Sequence, residues 1–271
     1  MAGEKVNLTG ARETLLMTLY GKALESWLAH SLLKDRFADE AVRAIDYDFS
    51  RLKVDTNLGI GLAIRAKTLD ARVEAFLARN PDAIVLHLGC GLDTRIFRVD
   101  PPQGVDWFDV DYPDVIELRR KLYPSRENYR LIGSSVTDPA CLAGVPRNRP
   151  AIVVAEGLTP YLPADEGPRL LARLVSHLAG GEVMFDAYSR FGLKLLRLNP
   201  TIKVTGAEVH WAIDDPRDLE RAVPKLRFVD DISAYSVKGT AGMGWSAKLF
   251  IQLWNHIPAL RKVGRILRFR F

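Results

Sequence analysis

The sequence predicts an α/β protein: a mostly parallel sheet of seven strands with helices on both faces, preceded by a helical cap. Three observations carry this. From residue 84 onward, short apolar runs alternate with stretches of helical period, the pattern of βαβ units. The first of these runs, Ile84 to Leu88, breaks into the glycine turn Gly89-Cys90-Gly91 within LHLGCGLDTR. Such a turn at a strand end lets a ligand approach the backbone closely. About 20 residues on, a second strand-like run ends in Asp111, where nucleotide-binding α/β folds place the carboxylate that accepts ribose hydroxyls.

Taken in order, Ala11 to Leu33 carries Leu16, Leu19, Ala23, Leu24, Trp27 and Leu28 at helical spacing. Ala38 to Ile45 reads as a short helix, followed by the polar link DYDFSRLKVDTN. A longer helix is expected from Gly61 to Asn80, with Leu62, Ala66, Leu69, Val73, Phe76 and Leu77 on one stripe and Asn80-Pro81 as its stop. Strands then follow at Ile84–Leu88, Val105–Val110, Tyr129–Ile132 and Ala151–Ala155; the last, AIVVA, is apolar throughout and so reads as central. Pro113 to Tyr123 and Pro163 to Leu178 are the helices between and after them, and Glu182–Asp186 is the fifth strand. From Ser189 to Pro224 the period blurs, as an insertion over a ligand site would. Leu226 to Tyr235 is the sixth strand, Trp245 to Ile257 a helix continued less regularly over Pro258 to Val263, and Arg265–Phe271 the last strand. No Pro/Gly/Ser linker separates two cores. One domain is expected over 1–271, with 1–80 as cap and lead-in, 81–188 as the binding core, 189–224 as lid and 225–271 as closing elements.

The composition, 48% hydrophobic and 26% charged, can build a core and is too apolar for general disorder. No apolar run is long enough to span a bilayer, and MAGEKVNLTG lacks a basic start followed by an apolar stretch, so a cytoplasmic, membrane-free protein is expected. Two cysteines, Cys90 and Cys141, make neither a disulfide framework nor a zinc site, and no metal is expected. Cys90 reads as a small residue filling the turn, since nothing nearby in sequence would activate its thiol. The net charge of +5 is spread out apart from Arg119-Arg120-Lys121 and the tail LRKVGRILRFRF. The alternation in that tail reads as a half-exposed strand with a solvated basic face rather than a nucleic-acid surface.

The turn GCGLDT has Thr94 where the dinucleotide fingerprint wants its third glycine, so the glycines alone say little. Asp111, the polar stretch Ser134–Asp138 after the third strand and Glu156-Gly157 after the fourth all open onto the carboxyl edge of the sheet. LGCGLDTR, DVDYPDVIELRRKLYP and AEGLTPYLP, together with LYGKALES, IDYDFSRL, IRAKTLD and GGEVMFDAYSR, resemble the leucine carboxyl methyltransferase family of S-adenosylmethionine-dependent enzymes, and within it the bacterial polyketide-type (tetracenomycin-type) O-methyltransferases. The resemblance runs to about Arg190 and weakens beyond it.

The resemblance implies a Rossmann-like class I methyltransferase, S-adenosyl-L-methionine as methyl donor, and a small-molecule acceptor with a carboxyl or hydroxyl group. It also implies roles. Gly89, Cys90 and Gly91 let the backbone approach the methionine moiety. Asp93 and Arg95 brace the turn, or Arg95 orients a carboxylate. Arg65, and Lys22 with it, meets the cofactor's carboxylate, a task a planar guanidinium suits. Asp111 takes the ribose hydroxyls, Ser135 and Val136 flank the adenine, and Glu156 faces the amino and sulfonium end. Lys22 and Asp93 read equally well as surface or capping residues, while for Arg65 an ion-pair partner is the lesser alternative. Two positions depart from the family: Ser135 stands where aspartate is common, and Thr159-Pro160 follows Glu156-Gly157-Leu158.

A carboxylate acceptor needs no base, whereas a phenol is helped by one. His210, Tyr161 and Tyr188 are the candidates for a base or an acceptor contact; His87, inside a strand, and His177, late in a helix, read as structural. Methylation of a protein C-terminal leucine, a nicotinamide oxidoreductase, and a cofactor-binding module without turnover are the competing readings.

Overall fold

The computed structural model describes residues 3–6, 8–233 and 240–271. The chain enters through a cap in which β1 (Glu4–Lys5) pairs in parallel with β2 (Ile45–Asp46), and α1 (Thr14–Ser26), α2 (Arg36–Ala44) and α3 (Thr56–Leu77) pack together. α1 stops at Ser26 because the Glu25 carboxylate turns the chain back: it accepts the Ser31 hydroxyl at 2.9 Å and the amides of Leu32 and Leu33. The first helix is thus shorter than the Ala11–Leu33 periodicity predicts. α3 starts at Thr56 rather than Gly61, since Asp55 caps it by accepting the Leu58 amide at 2.8 Å. The stretch 46–57, expected as a polar link, holds a 3-10 turn whose Phe49 and Leu52 are buried in the cap core.

The main sheet follows: β3 (Ile84–Leu88), α4 (Arg95–Val99), β4 (Asp106–Asp111), α5 (Pro113–Leu122), β5 (Tyr129–Gly133), β6 (Ala151–Ala155), α6 (Glu166–His177) and β7 (Gly181–Tyr188). After it come α7 (Arg190–Leu198), α8 (Pro200–Thr205), α9 (Arg217–Ala222), β8 (Arg227–Ser233), α10 (Trp245–His256), α11 (Pro258–Arg261) and β9 (Gly264–Arg270). The sixth strand was expected to reach Tyr235; Ala234 and Tyr235 lie outside the described residues. The seven strands are ordered β5-β4-β3-β6-β7-β9-β8, the first five parallel, with β9 antiparallel to both β7 and β8. β6 is central, as its unbroken apolar run implies. Leu69, Val73, Phe76 and Leu77 of α3 pack with Val85, Trp107 and Met184 on one face. Leu170, Leu171, Leu174 and Val175 of α6 pack with Leu86, Val153 and Phe185 on the other.

The tail is a correction. β9 is not a half-exposed strand but lies inside the sheet, and its basic residues are paired with acids, only Arg270 at its end being exposed as well. Arg265, 3% exposed, binds Asp231 at 2.9 Å, while Arg268 binds Asp230 at 2.7 Å and Glu182 at 3.3 Å. Alternation reports two different faces; it does not say that the polar one meets water when acids from neighbouring strands stand opposite.

Candidate active site

Register places the site. Leu88 is level with Val110 and with Ala155, and Ala155 with Phe185. The next residue on each strand therefore falls in one row across the carboxyl edge: Gly89, Asp111, Glu156 and Asp186. The row crosses the point between neighbours β3 and β6 where connections leave in opposite directions, from β3 to β4 on one side and from β6 to β7 on the other, which is where open α/β sheets bind ligands.

Gly89 and Gly91 have φ of +59° and +50°, a region that side chains disfavour, and a Cβ on Gly89 would lie 2.9 Å from the Leu158 side chain. The turn is held by Asp111, whose carboxylate accepts the amides of Gly91 and Tyr112, each at 2.7 Å. Burial pushes the Asp111 carboxyl up from its ordinary range, against those two amides. Burial also pushes the Cys90 thiol well up, which keeps it an unreactive filler of the turn.

Beneath the turn lies a buried cluster of charges. Glu156 receives Arg65 Nε at 3.2 Å, Lys22 Nζ at 3.3 Å and the guanidinium of Arg95. Burial works to raise its pKa, but Lys22, Arg65 and Arg95 outweigh it and hold the carboxyl well below the usual range. Asp93, bound by Arg98 at 2.7 Å, Lys22 at 3.2 Å and Arg95 at 3.3 Å, is held low for the same reason. Arg95 and Arg98 both reach Asp70, at 2.8 Å and 2.7 Å, and Arg98 also reaches Asp35 at 2.9 Å. Arg95 donates to His87 Nε2 at 3.0 Å; since a guanidinium only donates, the ring proton of His87 sits on Nδ1, facing Asp109 at 3.3 Å. His87 is thus part of the scaffold.

Above the row lies a cavity of about 920 Å³, counting its open mouth. Lys22, Arg65, Gly89, Cys90, Gly91, Asp93, Asp111, Ser135, Val136 and Glu156 all line it. Arg95 does not. It is fully buried below, so of its two expected roles it has the bracing one, and the carboxylates it orients are those of Asp70, Asp93 and Glu156. A second cavity of about 1130 Å³ adjoins the first and shares Thr14, Thr18, Arg65, Gly157 and Tyr161 with it. Its walls are largely apolar: Met17, Leu58, Leu62, Pro160, Leu195, Leu196, Ile202 and Val263, with Tyr188 and Asp186 among them. Tyr161 and Tyr188, the two tyrosine candidates, both line this second cavity. His210 lines neither cavity: its side chain is 45% exposed and lies 3.7 Å from Glu208, while its amide donates to the Pro160 carbonyl at 2.7 Å.

Sequence reasoning missed Asp186, although it ends a strand at the same edge as Asp111. It also missed Tyr112, which follows Asp111 at the mouth of the first cavity, and the α7–α8 residues Leu195, Leu196, Asn199 and Ile202, which wall the second. The rule that finds Asp111 finds Asp186 as well; nothing in the blurred period of the insertion marks which leucines face inward.

A leucine carboxyl methyltransferase family model matches residues 15–128. The chain is 47% identical over 269 residues to the tetracenomycin polyketide synthesis O-methyltransferase TcmP of Streptomyces glaucescens, covering 99% of this chain and 100% of that protein. The chain belongs to the leucine carboxyl methyltransferase family. It is also 37% identical to the S-adenosyl-L-methionine-dependent methyltransferase dpfgK of Gibberella zeae, over 93% of both chains. Its fold is shared with the magnesium protoporphyrin IX methyltransferase ChlM of Synechocystis PCC 6803 with bound SAH, at a TM-score of 0.51 and 12% identity over 82% of this chain and 93% of that one. This family member is a class I, S-adenosylmethionine-dependent O-methyltransferase.

The cavity's chemistry fits that donor. Its wall carries three carboxylates, Asp93, Asp111 and Glu156, and three cations, Arg12, Lys22 and Arg65, a mixed lining that suits a ligand with both an ammonium and a carboxylate. Where the family often has aspartate, Ser135 hydrogen-bonds Thr137 at 2.8 Å. Of the other departures, Thr159 donates to the Asp186 backbone carbonyl and Pro160 walls the second cavity. Among the described residues no helix is long and apolar enough to cross a membrane.

Proposed function

We propose that this enzyme, as one catalytic unit in the cytoplasm, methylates a carboxyl or phenolic oxygen of a small, largely apolar, polyketide-like molecule. The observation that carries the reading is the common wall of the two cavities, where Arg65, Gly157 and Tyr161 face both. S-adenosylmethionine supplies the methyl group as a sulfonium. Lys22 and Arg65 would hold its carboxylate and Glu156 its ammonium, Asp111 the ribose hydroxyls, and Ser135 and Val136 the adenine. Gly89 and Gly91 leave the room these contacts need.

In the adjoining cavity the apolar walls take the body of the acceptor, and Tyr161 and Tyr188 flank its reacting end. Burial pushes the Tyr161 hydroxyl up, which favours it as a hydrogen-bond donor to an acceptor oxygen over a proton acceptor from it. A carboxylate reaches the site already ionised and needs only alignment with the methyl carbon, which is the contribution that fixed geometry makes best. The likeness to TcmP supports a polyketide acceptor.

The test is to incubate the purified protein with methyl-labelled donor and a panel of aromatic polyketide acids and phenols. A labelled, extractable product is expected, and its lability to base separates ester from ether. Label confined to polypeptide with a C-terminal leucine would move the reading to protein carboxyl methylation. Binding of S-adenosylhomocysteine with no product from any acceptor would leave a binding module.

A further inference from the structure

We propose that Asp186 is the positioning residue that fixes the common wall of the two cavities, and so sets the acceptor against the methyl donor. The inference rests on the reading that the second cavity takes the acceptor. Asp186 is 2% exposed and lies in β7 one residue past Phe185, the partner of Ala155, and so level with Glu156. Its Oδ2 accepts Arg65 Nη1 at 2.9 Å and its Oδ1 accepts the Gly157 amide at 2.8 Å. Its backbone carbonyl accepts the Thr159 hydroxyl. One residue thus ties down a side chain from α3 and the loop after β6.

Arg65 and Gly157 each line both cavities, whereas Asp186 lines only the second. Gly157 holds φ at +69°, so the loop turns sharply where Asp186 grips it. Arg65 has a second anchor on the donor side, Glu156 at 3.2 Å from Nε. Loss of Asp186 therefore leaves the donor cavity its Arg65–Glu156 contact and its Asp111 and glycine turn, and frees the face that meets the acceptor. Misplacement by an ångström at that wall costs rate more than donor affinity, because in-line transfer is steep in geometry.

The experiment compares wild type with Asp186→Asn and Asp186→Glu in the full chain, measuring kcat on an acid that wild type methylates, S-adenosylhomocysteine affinity by calorimetry, and the melting temperature. Asn keeps the size and loses the pairing charge; Glu keeps the charge and sets it one methylene further out. Both are expected to lower kcat about 10- to 100-fold while S-adenosylhomocysteine binds within about threefold of wild type. Should the Asn variant fail to fold, the Glu variant decides. With Arg65→Lys, the double variant is expected to lose less than the product of the two single losses. Wild-type kcat in either folded variant overturns the proposal, as does S-adenosylhomocysteine affinity that falls in step with kcat, or strictly multiplicative losses. If wild type methylates no acid or phenol, the functional reading falls and takes this with it; if wild type turns over and the variants match it, this proposal falls alone.

Discussion

The Gly91 amide donates to the Asp111 carboxylate at 2.7 Å, joining the glycine turn after β3 to the end of β4 across 20 residues of sequence. Asp111 thereby shapes the turn and lines the first cavity at once.

Replacement of Asp111 by alanine removes a charged acceptor from two amides and from the ribose position. Hydrogen bonds to charged groups are worth about 1.5–3 kcal/mol, so S-adenosylhomocysteine should bind about 10- to 100-fold more weakly, read by calorimetry. Unchanged affinity would place the ribose elsewhere.

Gly89→Ala should also weaken donor binding, by at least about tenfold, and lower the melting temperature. Its new methyl meets Leu158 at 2.9 Å on a backbone at φ +59°, and a left-handed conformation costs an L-residue about 1–2 kcal/mol before any clash.

Arg95→Met removes a fully buried cation from between Asp70, Asp93 and Glu156. Breaking a buried pair from one side costs about 3–5 kcal/mol, whereas Arg169→Ala, at an exposed pair with Asp165, should cost under about 1 kcal/mol. Urea unfolding of the two variants measures the contrast.

Asp109 gives a pH signature. Burial would raise its pKa, but Arg119, His87 and Tyr129 bring it down to about 2. A carboxyl with a depressed native pKa stabilises the fold above its unfolded value near 4, and that contribution fades as pH falls toward 2. The stability gap between wild type and Asp109→Asn should therefore shrink between about pH 5 and pH 2, by something of order 2 kcal/mol. A gap independent of pH over that range would contradict the assignment.

His210→Ala should turn over within about twofold of wild type, because the ring lies outside both cavities and its contact is with Glu208. A large fall in kcat would restore it as a base.

The residues that line the first cavity were legible because that cavity is built by local rules. Strand ends, a glycine turn and a carboxylate 20 residues on are visible in one dimension, and the sheet register brings them level. Those of the second cavity were less so. Tyr161 and Tyr188 could be picked out beside strand ends, but Leu195, Leu196 and Ile202 belong to a segment whose inner face is set by packing against the cap, which no periodicity records. His210 stands out in the sequence by residue type and by its place beside Trp211 in the insertion, neither of which says where its ring points. The basic tail misled because its acidic partners, Asp230, Asp231 and Glu182, are remote in sequence. Arg95 was ambiguous for the same reason: Asp70 and Glu156 stand 25 and 61 positions away.

The interior place of β9 bears on how a nascent chain completes itself. β8 is made before β9 yet pairs in the main sheet only with it, and the β7 edge also waits for the same strand. Until residues 264–270 clear the ribosome, two strands carry unmet amides and carbonyls, an invitation to pairing between molecules. Synthesis interrupted before residue 264 should thus yield aggregates rather than a smaller folded enzyme.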